Sequence, residues 1–470
     1  MEYKLKDLKP QAFFKYFEEI SRIPHGSGNT KAIAQYLVDF AKSHGLRYIH
    51  DEAGNVVIFK NGSAGYEDKE PFILQGHMDM VAQKDADCPL DMTKDPLELI
   101  VEGDILRANG TTLGADDGIA VAMFLSVLED NTLAHPPLEV VLTNDEEIGL
   151  LGAGAMDMSM LKGRRMLNVD TFGEGCFTAG SAGGSFVTIE TEANRETYEG
   201  PLVQIKLQGL RGGHSAGAVT PSFANAVQEL AKLLRKLNVR LVSFEGGTAS
   251  NAVPRECTAV VVAENVEDTC AAHIEELKAR CTEPGAEVVI TYLPATKTQV
   301  LTEASTKKVL EVLAEVPNGV QEWDPDNSGR LLTSLNLGIV SLDDKLHMLS
   351  YLRSNLNSHR DALQDRLQAF AQEKECAYNM YGAYSAWEFR KDSPFRDTMA
   401  RIFEEMFGKK PDVRVTHAGL EGGEFGAKLP GLDCVSTGPL AHDVHTTRER
   451  LEISSIQRFW DFLTAILKEV

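Results

Sequence analysis

The sequence lacks long apolar runs and an excess of basic side chains. None of its apolar stretches approaches about 18 uninterrupted residues, so no segment is expected to span a lipid bilayer. Among the 470 residues, 47 are Lys or Arg and 69 are Asp or Glu, which gives a formal net charge of −22. Nucleic acids and anionic membrane surfaces bind clustered Lys and Arg, so neither is an expected partner. The acidic excess suits a different role, because carboxylates can hold cations.

Cysteine is also scarce and shows no pairing pattern. The 7 cysteines are scattered along the chain, their number is odd, and no two form a Cys-x-x-Cys pair. This distribution is typical of reduced thiols and not of a disulfide framework. The N-terminal segment has no apolar run followed by a small-residue cleavage site, so no secretory signal is expected. We therefore expect a cytoplasmic protein.

The composition that remains is that of a globular protein with a large core. Hydrophobic residues make up 43% and charged residues 25% of the chain, which is ordinary for globular domains. From residue 29 to about 185, nearly continuous apolar runs such as PFILQGHMDM and PLEVVLTND alternate with amphipathic helical patterns. Buried strands that alternate with helices predict an α/β domain, whose mixed, mostly parallel sheet is covered by helices.

The pattern changes at about residue 186. Strands of alternating polar and apolar residues appear there in the order strand, helix, two strands, helix, strand, and a weaker copy of this order follows. Such strands are typical of a sheet with one exposed face, and their order predicts an α+β domain with an internal duplication. The α/β pattern returns after about residue 387. The predicted division is therefore 1–185 and 387–470 for one α/β domain, with 186–386 inserted into it.

Five polar segments follow strands of the predicted α/β domain, where open α/β sheets assemble their active sites. They contain His77 and Asp79 in GHMDMV, Asp116 and Asp117 in GADDG, Asp145, Glu146 and Glu147 in NDEEIG, Asp170 in NVD, and His442, Asp443 and His445 in HDVHTTRE. Each segment alone has an ordinary explanation, such as a hydrogen-bonded core histidine, helix-capping aspartates or a solvated charge run.

Together the five segments favour a metal site. They supply histidines and several carboxylates, the nitrogen and oxygen donors that Zn²⁺ or Mn²⁺ accepts. The acids are too many for one structural zinc, and a pair of metals roughly 3.5–4 Å apart would use them. Of two neighbouring glutamates, one can bind metal while the other acts as a general base. The residues alone leave open whether Asp116 or Asp117, and whether His442 or His445, is the ligand.

These motifs, in this order, resemble the five signature blocks of the co-catalytic zinc aminoacylase and carboxypeptidase superfamily. RGGHSAG and SNAVPRE are similar to segments of its inserted lid domain, and the resemblance extends over essentially the whole chain. Within the superfamily, the chain is most similar to bacterial aminoacyl-histidine dipeptidases. The resemblance implies an α/β catalytic domain, an inserted lid, and a homodimer through that lid as one arrangement. It also implies two divalent ions, Zn²⁺ first with Mn²⁺ or Co²⁺ as alternatives, and hydrolysis of unblocked dipeptides, including Xaa-His and β-Ala-His.

The resemblance also implies a role for individual residues. Asp116 would bridge both metals, with His77 and Asp170 completing one site and Glu147 and His445 completing the other. Glu146 would be the general base that takes a proton from the attacking water, and Asp79 would orient His77. In the lid, the implied substrate-binding residues are His214 (oxyanion), Asn251 and Arg353 (free carboxylate of the substrate). In the returning α/β segment, Gly419 would let the backbone approach the substrate closely, with His417 and Glu421 in support.

Two departures from the superfamily pattern concern substrate preference. The segment GGHSAGAVT lacks the second histidine expected after GGHS, and LEGG stands where LECG is expected. The alternatives are a tripeptidase or an N-acyl-amino-acid amidohydrolase on the same scaffold, or a non-catalytic metal-binding protein. The intact NDEE segment argues against the last, because a silent protein has no need of a base beside a ligand.

Overall fold

A computed structural model describes residues 3–326 and 329–470. The helices of this part are α1 (Gln11–Ile20), α2 (Lys31–Ser43), α3 (Ala115–Glu129), α4 (Leu151–Ala155), α5 (Ser215–Ala218), α6 (Ala226–Lys236), α7 (Glu267–Arg280), α8 (Glu303–Glu315), α9 (Asn357–Glu373), α10 (Pro394–Phe407), α11 (Gly422–Lys428) and α12 (Ile453–Glu469). Its strands are β1 (Arg47–His50), β2 (Val56–Lys60), β3 (Phe72–His77), β4 (Leu99–Glu102), β5 (Ile105–Ala108), β6 (Leu138–Thr143), β7 (Arg165–Asn168), β8 (Cys176–Thr178), β9 (Gly183–Glu192), β10 (Arg195–Gln208), β11 (Gly213–His214), β12 (Arg240–Gly246), β13 (Ala252–Val253), β14 (Cys257–Val262), β15 (Glu287–Leu301), β16 (Gly319–Trp323), β17 (Leu331–Leu342), β18 (Lys345–Ser354), β19 (Ala377–Tyr384), β20 (Asp412–Arg414), β21 (Asp433–Ser436), β22 (Ala441–His442) and β23 (Arg450–Glu452).

The chain divides into two compact units. The first contains the described residues before Ala182 together with Trp387–Thr416 and Leu420–Val470, and the second contains Ala182–Ala386 and His417–Gly419. The short segment 417–419 therefore belongs to the second unit, although the returning α/β pattern around it predicted the α/β domain. Its His417 ring lies 2.8 Å from Ser334 Oγ and 2.7 Å from Asn355 Oδ1, which ties it to the second unit. The sequence-based domain boundaries stay predictions.

The first unit is built on an eight-stranded mixed sheet in the order β1-β2-β6-β3-β7-β21-β8-β20. The pairs β6/β3, β3/β7, β7/β21 and β8/β20 are parallel, and the other three pairs are antiparallel. Phe72 and Leu74 of β3 face a core shared with α1, α2, α3, α10 and α12, whereas Ile73 faces a smaller core with α4 and α11. Both faces of the sheet are thus covered, which confirms the predicted α/β class and explains the nearly continuous apolar runs.

Helix α3 approaches the central strand β3 unusually closely. Its residues from Ala115 to Leu128 are all buried, as expected for a helix that is apolar all round. A Cβ atom added to Gly76 of β3 would lie 2.3 Å from Ala120 Cβ and 2.5 Å from Asp117 Oδ2. Only glycine fits at this crossing, and the crossing sets the first turn of α3 beside the end of β3.

The second unit is an antiparallel sheet in the order β15-β10-β14-β12-β17-β18-β9-β19, with β16 paired to β17. Residues of α6, α7, α8 and α9 pack with this sheet in one hydrophobic core. The order β10, α6, β12, β14, α7, β15 matches the predicted α+β arrangement, which is confirmed. Two four-stranded halves meet between β12 and β17, at Glu245 opposite Ser341, but common descent of the halves stays a prediction.

The cysteines and the hydropathy of the helices can also be compared with the sequence-based expectations. All seven cysteines are free thiols, as their spacing predicts. No helix in the described part of the chain is both long and apolar enough to cross a membrane.

We predict that Gly76→Ala destabilises the first unit. The added methyl group would overlap Ala120, and overpacking a dense core typically costs about 1–3 kcal/mol, which should lower the thermal unfolding midpoint by several degrees. Gly154→Ala is the matched control, because Gly154 lies exposed in α4 with no atom within 4 Å of an added Cβ. Calorimetry on both variants checks this, and an unchanged midpoint in Gly76→Ala would contradict the close crossing.

Candidate metal centre and active site

The parallel strands of the first unit bring the predicted ligands to one edge of the sheet. His77 is the last residue of β3, Asp170 follows β7 by two residues, and Glu146 and Glu147 follow β6 closely. Because β6, β3 and β7 are adjacent and parallel, with His77 opposite Thr143, the residues after them meet at the same edge. Asp116 reaches this edge from the start of α3, and His445 from the loop between β22 and β23.

Six side chains form what we name the ligand cluster: His77, Asp116, Glu146, Glu147, Asp170 and His445. It comprises three overlapping groups, and within each group one donor atom per residue lies within 4.8 Å of the others. Asp116 is shared by the group with His77 and Asp170 and the group with Glu147 and His445. Its Oδ1 lies 3.0 Å from His77 Nε2, and its Oδ2 lies 3.0 Å from His445 Nε2.

The charges within the ligand cluster favour a bound cation. Burial raises the pKa values of Glu146 and Asp170 well above their usual range, and neighbouring carboxylates add to this shift. Burial lowers the pKa of His445, but its contacts with Asp116 and Glu147 outweigh that effect and raise the pKa to about 11. The shifts at Glu146 and Asp170 favour their neutral forms, and the shift at His445 favours its charged form, because the cluster contains more negative than positive groups. Imidazole nitrogens and carboxylate oxygens without thiolates are a donor set that fits divalent metal ions.

Asp79 organises one side of the cluster. Its Oδ1 accepts the backbone N–H of Glu146 at 3.0 Å and lies 3.3 Å from His77 Nδ1. Its Oδ2 accepts the N–H of Glu147 at 3.3 Å and the hydroxyl of Ser27 at 2.7 Å. One buried carboxylate therefore contacts the imidazole and also holds the backbone of both glutamates.

The alternatives that the sequence left open occupy different places. Asp117 Oδ2 accepts the backbone N–H of His77 at 3.2 Å, and Asp117 lies in none of the three ligand groups found among the described residues. His442 Nε2 lies 3.2 Å from Glu452 Oε1, again outside those groups. The geometry therefore brings Asp116 and His445 into the cluster.

The implied substrate-binding residues His214, Asn251, Arg353 and Gly419 all lie in the second unit, and we name them the lid residues. Arg353 on β18 is only 4% exposed. Its Nε donates to Ser215 Oγ and its Nη1 to the His417 carbonyl, both at 3.4 Å, and its Cζ lies 4.2 Å from the centre of the Tyr351 ring. It forms no ion pair with any carboxylate of the described residues. A buried guanidinium with neutral partners attracts an anion.

The other lid residues lie in neighbouring loops of the same unit. His214 pairs with Ala252 in the short β11–β13 ladder, and its Nδ1 accepts the N–H of Ala216 at 3.3 Å. Asn251 is exposed, and Asn336 Nδ2 donates to the two carbonyls that flank it, those of Ser250 and Ala252, at 2.8 Å each. The loop that carries Asn251 is therefore held from β17.

Packing within the second unit explains why residue 419 is a glycine. An added Cβ would lie 2.9 Å from Cε2 of Tyr384, so the glycine accommodates that ring. The Tyr384 hydroxyl in turn lies 2.7 Å from the hydroxyl of Tyr351, whose ring contacts Arg353. The predicted approach of substrate to the Gly419 backbone stays a prediction.

Glu449 is a site residue that the sequence reasoning missed. It is 2% exposed, and its carboxylate accepts four consecutive backbone N–H groups, from Leu113, Gly114, Ala115 and Asp116, at 2.8–3.3 Å. This contact fixes the backbone that presents Asp116 to the cluster. The available signal was its position as the last residue of HDVHTTRE, four residues after His445.

We predict that Glu449→Gln destabilises the metal-free protein by about 2 kcal/mol or more. An amide nitrogen would replace one accepting oxygen, and each buried N–H that loses its acceptor costs about 1–3 kcal/mol. The thermal unfolding midpoint after dialysis against chelator measures this. The control is Glu102→Gln, which breaks an exposed pair with Arg107 and should change stability by less than about 0.5 kcal/mol. Equal midpoints for the two variants would contradict the role of Glu449.

Comparison with known proteins agrees with this geometry. A sequence model of peptidase family M20/M25/M40 matches residues 73–295. The cytosol non-specific dipeptidase of Escherichia coli (strain K12) is 35% identical over 482 aligned residues, which cover 99% of both chains. The crystal structure of the aminoacylhistidine dipeptidase from Vibrio alginolyticus superposes with a TM-score of 0.87 at 34% identity, covering 99% of this chain and 98% of that one. The aminopeptidase PepT of Bacillus cereus shares the fold, with a TM-score of 0.57 at 15% identity over 98% of this chain and 99% of its own. The resemblance seen in the motifs is therefore confirmed, and the chain belongs to peptidase family M20/M25/M40.

Proposed function

We propose that this peptide hydrolase is a two-metal dipeptidase, which cleaves the peptide bond of unblocked dipeptides, including Xaa-His and β-Ala-His. The observation that carries the proposal is Asp116, whose two carboxylate oxygens face two different imidazoles in two ligand groups. A carboxylate shared in this way is what a pair of metal ions requires. The names of the E. coli and V. alginolyticus relatives support dipeptides as the substrate class.

The metal ligands are proposed as follows. Asp116 would bridge both ions, His77 and Asp170 would complete one site, and Glu147 and His445 would complete the other. Zn²⁺ is the first choice because imidazole and carboxylate donors suit it, and Mn²⁺ or Co²⁺ would also be accepted. When bound, the two ions would lower the pKa of a water molecule and polarise the carbonyl of the scissile bond.

Glu146 would act as the general base. It lies next to the ligand Glu147 in sequence, and the Asp79 carboxylate holds its backbone N–H at 3.0 Å. A Glu146 carboxylate oxygen would take a proton from the attacking water and then transfer it to the leaving amine nitrogen. Asp79 would orient His77 for metal binding from the opposite side of the imidazole ring.

The lid residues would bind the substrate. The buried guanidinium of Arg353 has no carboxylate partner among the described residues, and it would clamp the free carboxylate of a dipeptide. His214 would donate to the oxyanion that forms as water attacks, and a single well-placed donor of this kind lowers the barrier by about 2.7–4 kcal/mol. Asn251 would bind the substrate, and Gly419 would let the protein backbone approach it closely.

Several broader expectations are part of the same proposal. The domain division is 1–185 and 387–470 for the catalytic domain and 186–386 for the lid, with a homodimer through the lid as one arrangement. A cytoplasmic location is supported by the cysteine pattern and by the name of the cytosolic E. coli relative.

The word "non-specific" in that name supports a range of dipeptides, whereas the V. alginolyticus name supports a terminal histidine. Tripeptides and N-acyl amino acids are the alternative substrates.

We predict that wild-type protein hydrolyses carnosine and other unblocked dipeptides, loses activity to a chelator, and recovers it with Zn²⁺, Mn²⁺ or Co²⁺. Glu146→Ala should retain metal yet lower kcat by roughly 10²–10⁴-fold, the usual contribution of a general base. Glu147→Ala should instead lose bound metal. Amine release measures turnover, and elemental analysis after dialysis measures metal content. N-acetylated dipeptides and tripeptides in the same assay distinguish the alternative substrates.

The two glutamate variants make the proposal falsifiable. Turnover by Glu146→Ala near the wild-type rate would overturn its assignment as the base. If Glu146→Ala lost metal and Glu147→Ala did not, the two roles would have to be exchanged. Faster hydrolysis of N-acetylated substrates than of free dipeptides would favour the amidohydrolase alternative.

We also predict that Arg353 makes the enzyme depend on a free C-terminal carboxylate. Wild-type protein should cleave a dipeptide far better than the corresponding dipeptide amide. Arg353→Ala should lower kcat/KM for the dipeptide by roughly 10–100-fold, the equivalent of one charged hydrogen-bond partner, and should have little effect on the amide. Arg235→Ala is the control, because Arg235 lies on α6 of the same unit in an exposed pair with Glu315. Equal losses on both substrates would contradict carboxylate binding.

A further inference from the structure

A row of buried polar side chains lies directly beneath the ligand cluster. Gln75 on β3 and Asn168 on β7 each precede a cluster residue, His77 and Asp170, by two positions, and they lie opposite each other in the parallel ladder. Thr143 on β6 lies opposite His77. Each is at most 1% exposed. The three central strands thus carry polar groups where a sheet covered on both faces would normally carry apolar ones.

Glu421, at the start of α11, joins this row. It is fully buried, and its Oε2 accepts hydrogen bonds from Gln75 Nε2 at 2.5 Å and from Thr143 Oγ at 2.6 Å. Gln75 Oε1 in turn accepts a hydrogen bond from Asn168 Nδ2 at 2.7 Å. One carboxylate therefore connects β3 and β6 directly, and β7 through the side chain of Gln75.

Burying this polar network costs folding free energy, which a purely structural role does not explain. Glu421 Oε1 and Asn168 Oδ1 are buried without a hydrogen-bond partner among the described residues. Burial raises the pKa of Glu421 to about 7, although the nearby imidazole of His77 and the bonds from Thr143 and Gln75 favour its charged form. An apolar residue would avoid this cost, and local rules of packing are typically broken at functional sites.

We propose that Glu421 is a positioning residue of the metal centre. Through Gln75, Thr143 and Asn168 it holds the ends of the three strands that lead to the ligands, and its carboxylate adds negative charge behind His77. Partners hydrogen-bonded directly to a ligand typically contribute 10–100-fold to metal affinity, and because Glu421 acts through the strands that lead to the ligands, we expect an effect near the lower end of this range. This inference rests on the proposed metal-dependent function, which it deepens by assigning a residue outside the ligand cluster to cation binding.

The test is the affinity of the full-length protein for metal, measured without substrate. Apo-protein is titrated with Zn²⁺ against a chromophoric chelator, and the visible absorption of bound Co²⁺ reports the ligand geometry. Glu421→Gln preserves the side-chain volume but removes the charge. We expect it to raise the Kd for Zn²⁺ by roughly 10-fold and to alter the Co²⁺ spectrum.

Glu139→Gln is the matched control. Glu139 is another buried glutamate in the first unit, and it lies on β6, four residues before Thr143. Its carboxylate accepts the backbone N–H groups of Lys162 at 2.9 Å and Gly163 at 3.0 Å, at the opposite end of the strand. We expect this variant to unfold at a lower temperature than wild type while its Kd for Zn²⁺ stays within about twofold of the wild-type value.

The outcomes separate the inference from the function it rests on. If wild-type protein binds Zn²⁺ and Glu421→Gln binds it equally well, Glu421 is only structural and the inference is overturned. If Glu421→Gln does not fold, the same titration is carried out on Thr143→Val. This variant keeps the Glu421 carboxylate and removes one of its hydrogen bonds. An increase of several-fold in its Kd would support the inference, and an unchanged Kd would overturn it. A wild-type protein that binds no divalent metal would overturn the proposed function itself, and the inference with it.

Discussion

Mutual repulsion among the carboxylates of the ligand cluster is the force that the first unit must balance. Four of the six side chains are acids, and in a setting of low polarity like charges a few ångströms apart repel strongly. The balance comes from several kinds of partner around the cluster. Two imidazoles lie among the acids, and burial together with the neighbouring carboxylates raises the pKa values of Glu146 and Asp170, which favours their neutral forms. Metal ions would complete the balance with full charges, which explains why the donor set suits them.

Buried carboxylates outside the cluster fix the segments that lead to the ligands. Glu449 accepts the four N–H groups at the start of α3, so the backbone before Asp116 is held by the loop that also carries His445. On the other side, Glu421 holds polar groups of the central strands from below. These carboxylates do not reach the ligand groups, yet each fixes a segment that does. The negative charge of the protein is therefore in part a feature of its interior.

Much of this arrangement could be predicted from the sequence. Nearly continuous apolar runs identified the covered sheet, alternating runs identified the second unit, and polar residues after strands located the cluster. The choice of Asp116 over Asp117 could not be made from the residues themselves, because two adjacent aspartates differ only in where the backbone directs them. The resemblance supplied that choice, and among the described residues Asp116, not Asp117, lies in the candidate ligand groups. Spacing likewise gave no sign that Gln75 and Asn168 contact each other, or that Glu449 meets a loop more than 300 positions earlier in the chain.

The strand order has a consequence for how the protein is made. Strand β21, close to the end of the chain, lies between β7 and β8, which are synthesised before the entire second unit. On a ribosome, β7 therefore leaves the exit tunnel long before its neighbour exists, while every strand of the second sheet is already available by residue 384. The inserted unit can complete its sheet first, and the edge beside β7 stays open until residues 433–436 have been synthesised. During that interval, the half-built sheet presents the kind of open edge that chaperones cover and that other nascent chains can join.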